Sequence, residues 1–95
     1  MDLTPVSALK LIHELAEDSK NIVITPHAKG RMKSRIVSIT QIIRCLKNGV
    51  FVEEPYRDMK GGWSMKLEVW TAGRPISVVL AIHGRKLIII TVIGD

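Results

Sequence analysis

Apolar positions follow two periods along this chain, helical in the first half and alternating in the second. Val6, Leu9, Ile12 and Ala16 recur at helical spacing behind Thr4-Pro5, a threonine cap followed by proline at the first helical position. That predicts a helix over about residues 4–18, with Asn21 as a left-handed terminator. Ile22-Val23-Ile24-Thr25 is a short β-branched run, extended or a brief strand. Pro26 keeps Thr25 out of the helical region and starts a short second helix reaching Arg35. Gly30 inside it costs about 1 kcal/mol relative to alanine, which suggests close packing there. Ser38 and Gln41 form a capping box for a third helix, in which Ile39, Ile42, Ile43 and Leu46 share one face. Asn48-Gly49 is expected to close it with a left-handed cap.

From Val50 the period becomes that of a strand. Val50–Tyr56 is a first strand, placed at an edge by Pro55. After the Lys60-Gly61-Gly62 turn, Trp63, Met65, Leu67 and Val69 alternate with Ser64, Lys66, Glu68 and Trp70. Gly73-Arg74-Pro75 turns into Ile76–Ile82, and His83-Gly84-Arg85-Lys86 connects it to Leu87–Ile93. Both of these last runs are apolar on two faces, as expected at a sheet centre. The fold class is therefore α+β, with N-terminal helices packed on a four-stranded antiparallel sheet. No linker, repeat or low-complexity segment divides residues 1–95, so one domain is expected.

Composition narrows the function classes. A single cysteine, Cys45, allows no intramolecular disulfide, which suits a reducing cytoplasm and removes the secreted disulfide-scaffold class. The start of the chain lacks a signal-peptide pattern, and the longest apolar run is too short to cross a bilayer; a soluble, cytoplasmic protein without membrane partners is expected. Three scattered histidines and one cysteine make no recognisable metal motif, and no glycine-rich phosphate loop precedes a helix, so neither metal nor cofactor is expected.

Charge carries the most information. The net charge is +5, and no acidic residue lies between Asp18 and Glu53, an interval holding Lys20, Lys29, Arg31, Lys33, Arg35, Arg44 and Lys47. Such a one-sided block builds a local positive potential suited to a polyanion, RNA above all, or to an acidic partner protein. Lys29, Lys33, Arg44 and Arg85 are the expected RNA contacts. His27, Arg31 and Arg35, four residues apart in turn, share one helical stripe. Two guanidiniums can grip phosphate oxygens while an imidazole moves a proton. The same stripe is equally readable as a solvated arginine face with a packing histidine.

The segment His27-Ala28-Lys29-Gly30-Arg31-Met32-Lys33-Ser34-Arg35-Ile36, followed by the serine-capped helix and Asn48-Gly49, resembles an uncharacterised bacterial family of small domains. Lys66 on a middle strand and the closing Ile90-Thr91-Val92 fit the same pattern. The resemblance covers roughly residues 23–93, leaving the N-terminal helix outside it. The layout is similar to BrnT and, more remotely, to RelE/ParE-type toxins and barnase- or colicin-like ribonucleases. The resemblance implies a metal-independent endoribonuclease toxin, neutralised by an antitoxin-like acidic protein. Its alternative is a non-catalytic nucleic-acid-binding or regulatory module, or a basic protein-interaction domain.

On that reading His27 is the general acid or base, and Arg31, Arg35 and Lys66 stabilise charge on the phosphorane. A cross-strand ion pair with a neighbouring glutamate explains Lys66 as well. His83 reads first as a turn residue and second as another proton-transfer group; His13 reads as a surface residue. Trp70, on the Lys66 face, is the expected base-stacking residue; Trp63 fits the core alternation, and Tyr56 is a third aromatic able to stack. Cys45 reads as a small buried hydrophobe.

Overall fold

The computed structural model describes residues 3–94. Helix α1 spans Pro5–Ala16, and Thr4 and Ser7 cap it reciprocally: Thr4 Oγ1 accepts from Ser7 N at 3.1 Å, and Ser7 Oγ from Thr4 N at 2.9 Å. The helix stops at Ala16 rather than Asp18, and Asn21 does not turn left-handed. It closes a short 3-10 turn (Ser19–Asn21) instead, its side chain donating to Leu15 O at 3.2 Å. Strand β1 (Ile22–Ile24), α2 (Pro26–Arg35) and α3 (Ile39–Asn48) follow, then β2 (Val50–Arg57), β3 (Trp63–Thr71), β4 (Arg74–His83) and β5 (Lys86–Gly94).

The sheet differs from the four antiparallel strands expected. Among the described residues it has five strands in the order β1-β5-β4-β3-β2. Strand β1 lies parallel to β5, with Ile22, Val23 and Ile24 opposite Leu87, Ile88 and Ile89. The other pairings are antiparallel. The reason for the miss is physical. A three-residue β-branched run acquires strand character only by pairing, and its partner lies more than sixty residues away, beyond the reach of any local pattern. Pro55 does fall on an edge strand, β2, where a missing N–H leaves no central ladder bond open.

One face of the sheet is covered. Ala8, Ile12 and Leu15 from α1 and Ile42, Cys45 and Leu46 from α3 are buried in one cluster with Met65, Leu67, Ile76, Val78, Leu80, Leu87, Ile89 and Val92. Burying each such large aliphatic side chain contributes roughly 1.5–3 kcal/mol, so this single layer supplies most of the apolar stabilisation. The opposite face carries Ser64, Ala81 and Ile88 in one cross-strand row and Lys66, Val79 and Thr91 in the next. Among the described residues, no helix covers those rows as α1 and α3 cover the first face; α2 packs along β5.

Three glycine and turn details depart from expectation or sharpen it. Gly49 follows α3 with an extended backbone (φ −70°), not a left-handed one. Its lack of a side chain matters because an added Cβ would collide with Cys45 O and lie 3.1 Å from Glu68 O. Gly30 has nothing within 4 Å of where its Cβ would be, so it marks no close packing. The left-handed helix end is instead at Ile36 (φ 55°), where Ile36 N and Val37 N donate to Lys33 O and Met32 O.

A β-branched residue in that conformation carries strain on the order of 1–2 kcal/mol, and Ile36 is 82% exposed, so few contacts offset it. Ile36→Gly is expected to stabilise the fold by roughly 0.5–1 kcal/mol after the flexibility cost of glycine. Thermal unfolding checks this; an unchanged or lower midpoint would mean that the isoleucine side chain contributes contacts its exposure conceals.

Candidate functional site

Thr25 fixes the start of α2. Its Oγ1 donates to Ile89 O at 2.8 Å and accepts from Ala28 N at 3.1 Å, tying the helix N-terminus to β5. Pro26 supplies the first helical residue, so His27 stands in the first turn above the uncovered sheet face, exposed. There it lines a cleft of about 450 Å³ shared with Thr25, Asp58, Met59, Lys60, Ser64, Ala81, His83, Ile88 and Ile90.

The turn between β2 and β3, which lines the same cleft, is built around one carboxylate. Asp58 Oδ1 accepts from Gly62 N at 2.8 Å and Lys60 N at 2.9 Å, and Asp58 N donates to Gly62 O at 3.0 Å. Its Oδ2 accepts from the His83 ring, Nε2 to Oδ2 being 3.1 Å, and more weakly from Ser64 Oγ at 3.4 Å. Burial pushes the Asp58 carboxyl up, but the Gly62 and Lys60 N–H groups and the His83 ring outweigh it and hold the group below its usual range. An ionised carboxylate only accepts, so Nε2 carries the proton and Nδ1 is left to exchange one. A carboxylate-oriented imidazole therefore lines the same cleft as a second imidazole, that of His27.

A depressed carboxyl contributes stability that is present above its unfolded pKa and lost as pH falls through the folded one. The thermal midpoint should therefore drop below about pH 4, the unfolded value for aspartate, and Asp58→Asn should flatten that drop. Identical acid profiles for the two proteins would show that Asp58 is not held ionised by this turn.

The remaining expected site residues are distributed differently. Arg31 and Arg35 continue along the exposed side of α2 and are not among the residues lining the cleft. Lys66 lies one row along the uncovered face, half-buried, opposite Glu53 on β2 and Val79 on β4. Lys29 and Lys33 are exposed on α2 and Arg44 on α3. Trp70 is 70% exposed at the far end of β3. Arg85 is exposed in the β4–β5 turn, 3.4 Å from Glu14 of α1. His13 is exposed. Trp63 packs partly against the core, with the Arg57 guanidinium 5.0 Å from its ring centre. Cys45 is buried and its thiol is pushed up to about 12 by desolvation, which leaves it a weak nucleophile.

Asp58 and Lys60 were not legible as site residues. Their one signal is the Asp-x-Lys-Gly-Gly turn, which reads as hairpin chemistry; only the pairing of β3 with β4, Trp63 opposite Ile82, brings His83 beside it. Among the described residues, no group of three or more His, Cys, Asp and Glu is arranged to hold a metal ion, and no helix is long and apolar enough to cross a membrane.

A family model described as "Domain of unknown function (DUF4258)" matches residues 24–93. That span takes in α2, α3, β2, β3, β4 and nearly all of β5, and with them every residue lining the cleft. No curated protein matches the chain, and no solved structure does.

Proposed function

The chain belongs to the DUF4258 family, and from its cleft we propose that it is a metal-independent endoribonuclease of toxin type, its basic surface covered by an acidic partner when silent. One observation carries the reading: His27 and an Asp58-oriented His83 line the same cleft, and Lys60 of the Asp58 turn lines it too. RNA supplies the matching chemistry. One imidazole takes the proton of a 2′-hydroxyl, whose oxygen attacks phosphorus; the bond from phosphorus to the 5′ oxygen breaks, and the other imidazole protonates that leaving oxygen. The products are a 2′,3′-cyclic phosphate and a 5′-hydroxyl, and no co-reactant is consumed. In this reading Lys60 and the positive end of α2, both at the cleft, stabilise the charge that develops on the equatorial oxygens.

Arg31 and Arg35, with Lys29 and Lys33, serve a different role in this reading. They form a basic flank that holds the strand outside the cleft, and Arg44 extends it onto α3. The same flank supports the second reading, a nucleic-acid-binding module without catalysis, since these cations need no contact with the imidazoles to bind phosphates.

The test is incubation of the purified protein with RNA in excess chelator. Cyclic phosphate ends are expected, along with slowed growth on expression. RNA that stays intact across the neutral pH range yet is bound with a steep salt dependence would establish the binding module instead.

A further inference from the structure

The charged wall of the cleft accounts for a phosphate but leaves its floor unexplained. Tyr56, Ser64, Ala81 and Ile88 stand in register across β2, β3, β4 and β5 on the uncovered face. Ile90 borders this row, 37% exposed, and Met59 stands fully exposed at the rim. A ribose phosphate held by His27, Lys60 and His83 would leave Ile88, Ile90 and Met59 in water.

We infer that this apolar floor seats one unpaired nucleobase, so that the strand acted on is single-stranded at the point of cleavage. The identity of the ligand as RNA rests on the ribonuclease reading. The cleft, about 450 Å³, falls within the roughly 300–1,000 Å³ typical of sites for small organic ligands. A base is the part of a nucleotide with two apolar faces and a polar edge, and the floor offers the complement. Ile88 and Ile90 meet a face, with Ala81 buried beneath them, while Thr25 stands at the perimeter and the nearly buried Ser64 at the base. Each hydroxyl already donates, to Ile89 O and to Asp58 respectively; Thr25 Oγ1, which also accepts from Ala28 N, keeps one lone pair to accept from an amino or imino group, and Ser64 Oγ keeps its own. Tyr56, half exposed in the same row, lies where the neighbouring base would stack. A base inside a duplex has both faces and its pairing edge occupied and reaches such a floor only after leaving the stack.

The experiment titrates the isotope-labelled full chain with adenosine and uridine monophosphates, ribose phosphate and inorganic phosphate, following backbone and isoleucine methyl signals. Both nucleotides should bind roughly tenfold or more tightly than ribose phosphate, the size of one base stack, with the Ile88 and Ile90 methyls shifting most. Ala81→Leu fills the floor and should reduce nucleotide affinity to that of ribose phosphate, leaving inorganic phosphate affinity unchanged. Ile90→Ser, at a partly exposed position, should weaken nucleotides alone and serves if Ala81→Leu misfolds. Nucleotides that bind no better than ribose phosphate, or shift residues away from the floor, overturn the seat.

Cleavage of one RNA as a single strand and as a duplex separates the two claims. Equal cutting of both forms would retain the ribonuclease and discard the seat. Nucleotides that settle on the floor of a protein cutting neither form would retain the seat and discard the catalysis.

Discussion

His27→Ala is expected to lower the rate of RNA cleavage by roughly 100- to 10,000-fold, the usual contribution of a positioned proton-transfer group. The fold should survive, because His27 is exposed in the first turn of α2 and the helix start is held by Thr25. Surface replacements of this kind usually change stability by less than about 0.5 kcal/mol. His83→Ala should cost a similar factor, and the double variant little more than either single one, since two groups that act in one step do not contribute additively.

The pH dependence adds a signature that loss of binding would not produce. With one imidazole needed neutral and the other protonated, kcat/KM should be bell-shaped, and each single variant should lose one limb. Single-turnover rates on a short RNA, with thermal midpoints measured in parallel, check this. Unimpaired cleavage by His27→Ala would sink the two-imidazole mechanism outright.

Gly62→Ala should cost nearly as much as His83→Ala although residue 62 touches no substrate in this mechanism. An added methyl would lie 2.7 Å from Cδ2 of the His83 ring and nearer still to Nε2 and Cε1. Either the ring swings off Asp58 or the turn opens, and in both cases the Nε2–Oδ2 bond is lost. The strain is of the overpacking kind, about 1–3 kcal/mol, so a folded protein should remain. Its distinguishing readout is the pH profile: the limb belonging to His83 should vanish while that of His27 persists. The His83 ring protons should also move. Full activity with an intact profile would show that the ring has room, and that the glycine serves the turn alone.

These two expectations lie at opposite ends of what could be read from the chain. His27 was legible because local chemistry places it: Thr25-Pro26 fixes a helix start, and the residue after that proline must stand in its first turn. The Ser38–Gln41 capping box is similar, with Gln41 N donating to Ser38 Oγ at 3.2 Å and Ser38 N donating to Gln41 Oε1 at 2.9 Å. Both depend on groups within four residues of each other. Gly62, Asp58 and Lys60 were not legible, because nothing within the turn reveals that the pairing of β3 with β4 delivers His83 against it.

Glycine shows the same division. Gly49 was expected to supply a left-handed cap; its true constraint is the approach of Cys45 O and Glu68 O, one from the helix behind it and one from a neighbouring strand. The left-handed position fell instead on Ile36, where no preference of the residue predicts it. There Val37 is buried and the Arg74 guanidinium donates to Ile36 O, so tertiary packing holds the helix end against local preference. Arg31 and Arg35 repeat the lesson at the site. Their spacing places them on a stripe with His27, but α2 is only ten residues long and lies along β5. The cleft opens at its first turn, so a stripe that continues down the helix leads away from it.

What the amino-acid order determined by itself was everything governed by neighbours a few residues apart: three capped helices, the alternation of the later strands, the edge position of β2 and the acid-free basic segment. The tertiary structure alone decided that Ile22–Ile24 joins the sheet beside β5, that His83 is oriented by Asp58, and that His27 lines the same cleft. The physical reason is the range of the interactions. Caps, turns and periodicity are set by backbone geometry over one or two turns, whereas the cleft exists only where strand pairing brings residues 27, 58 and 83 together.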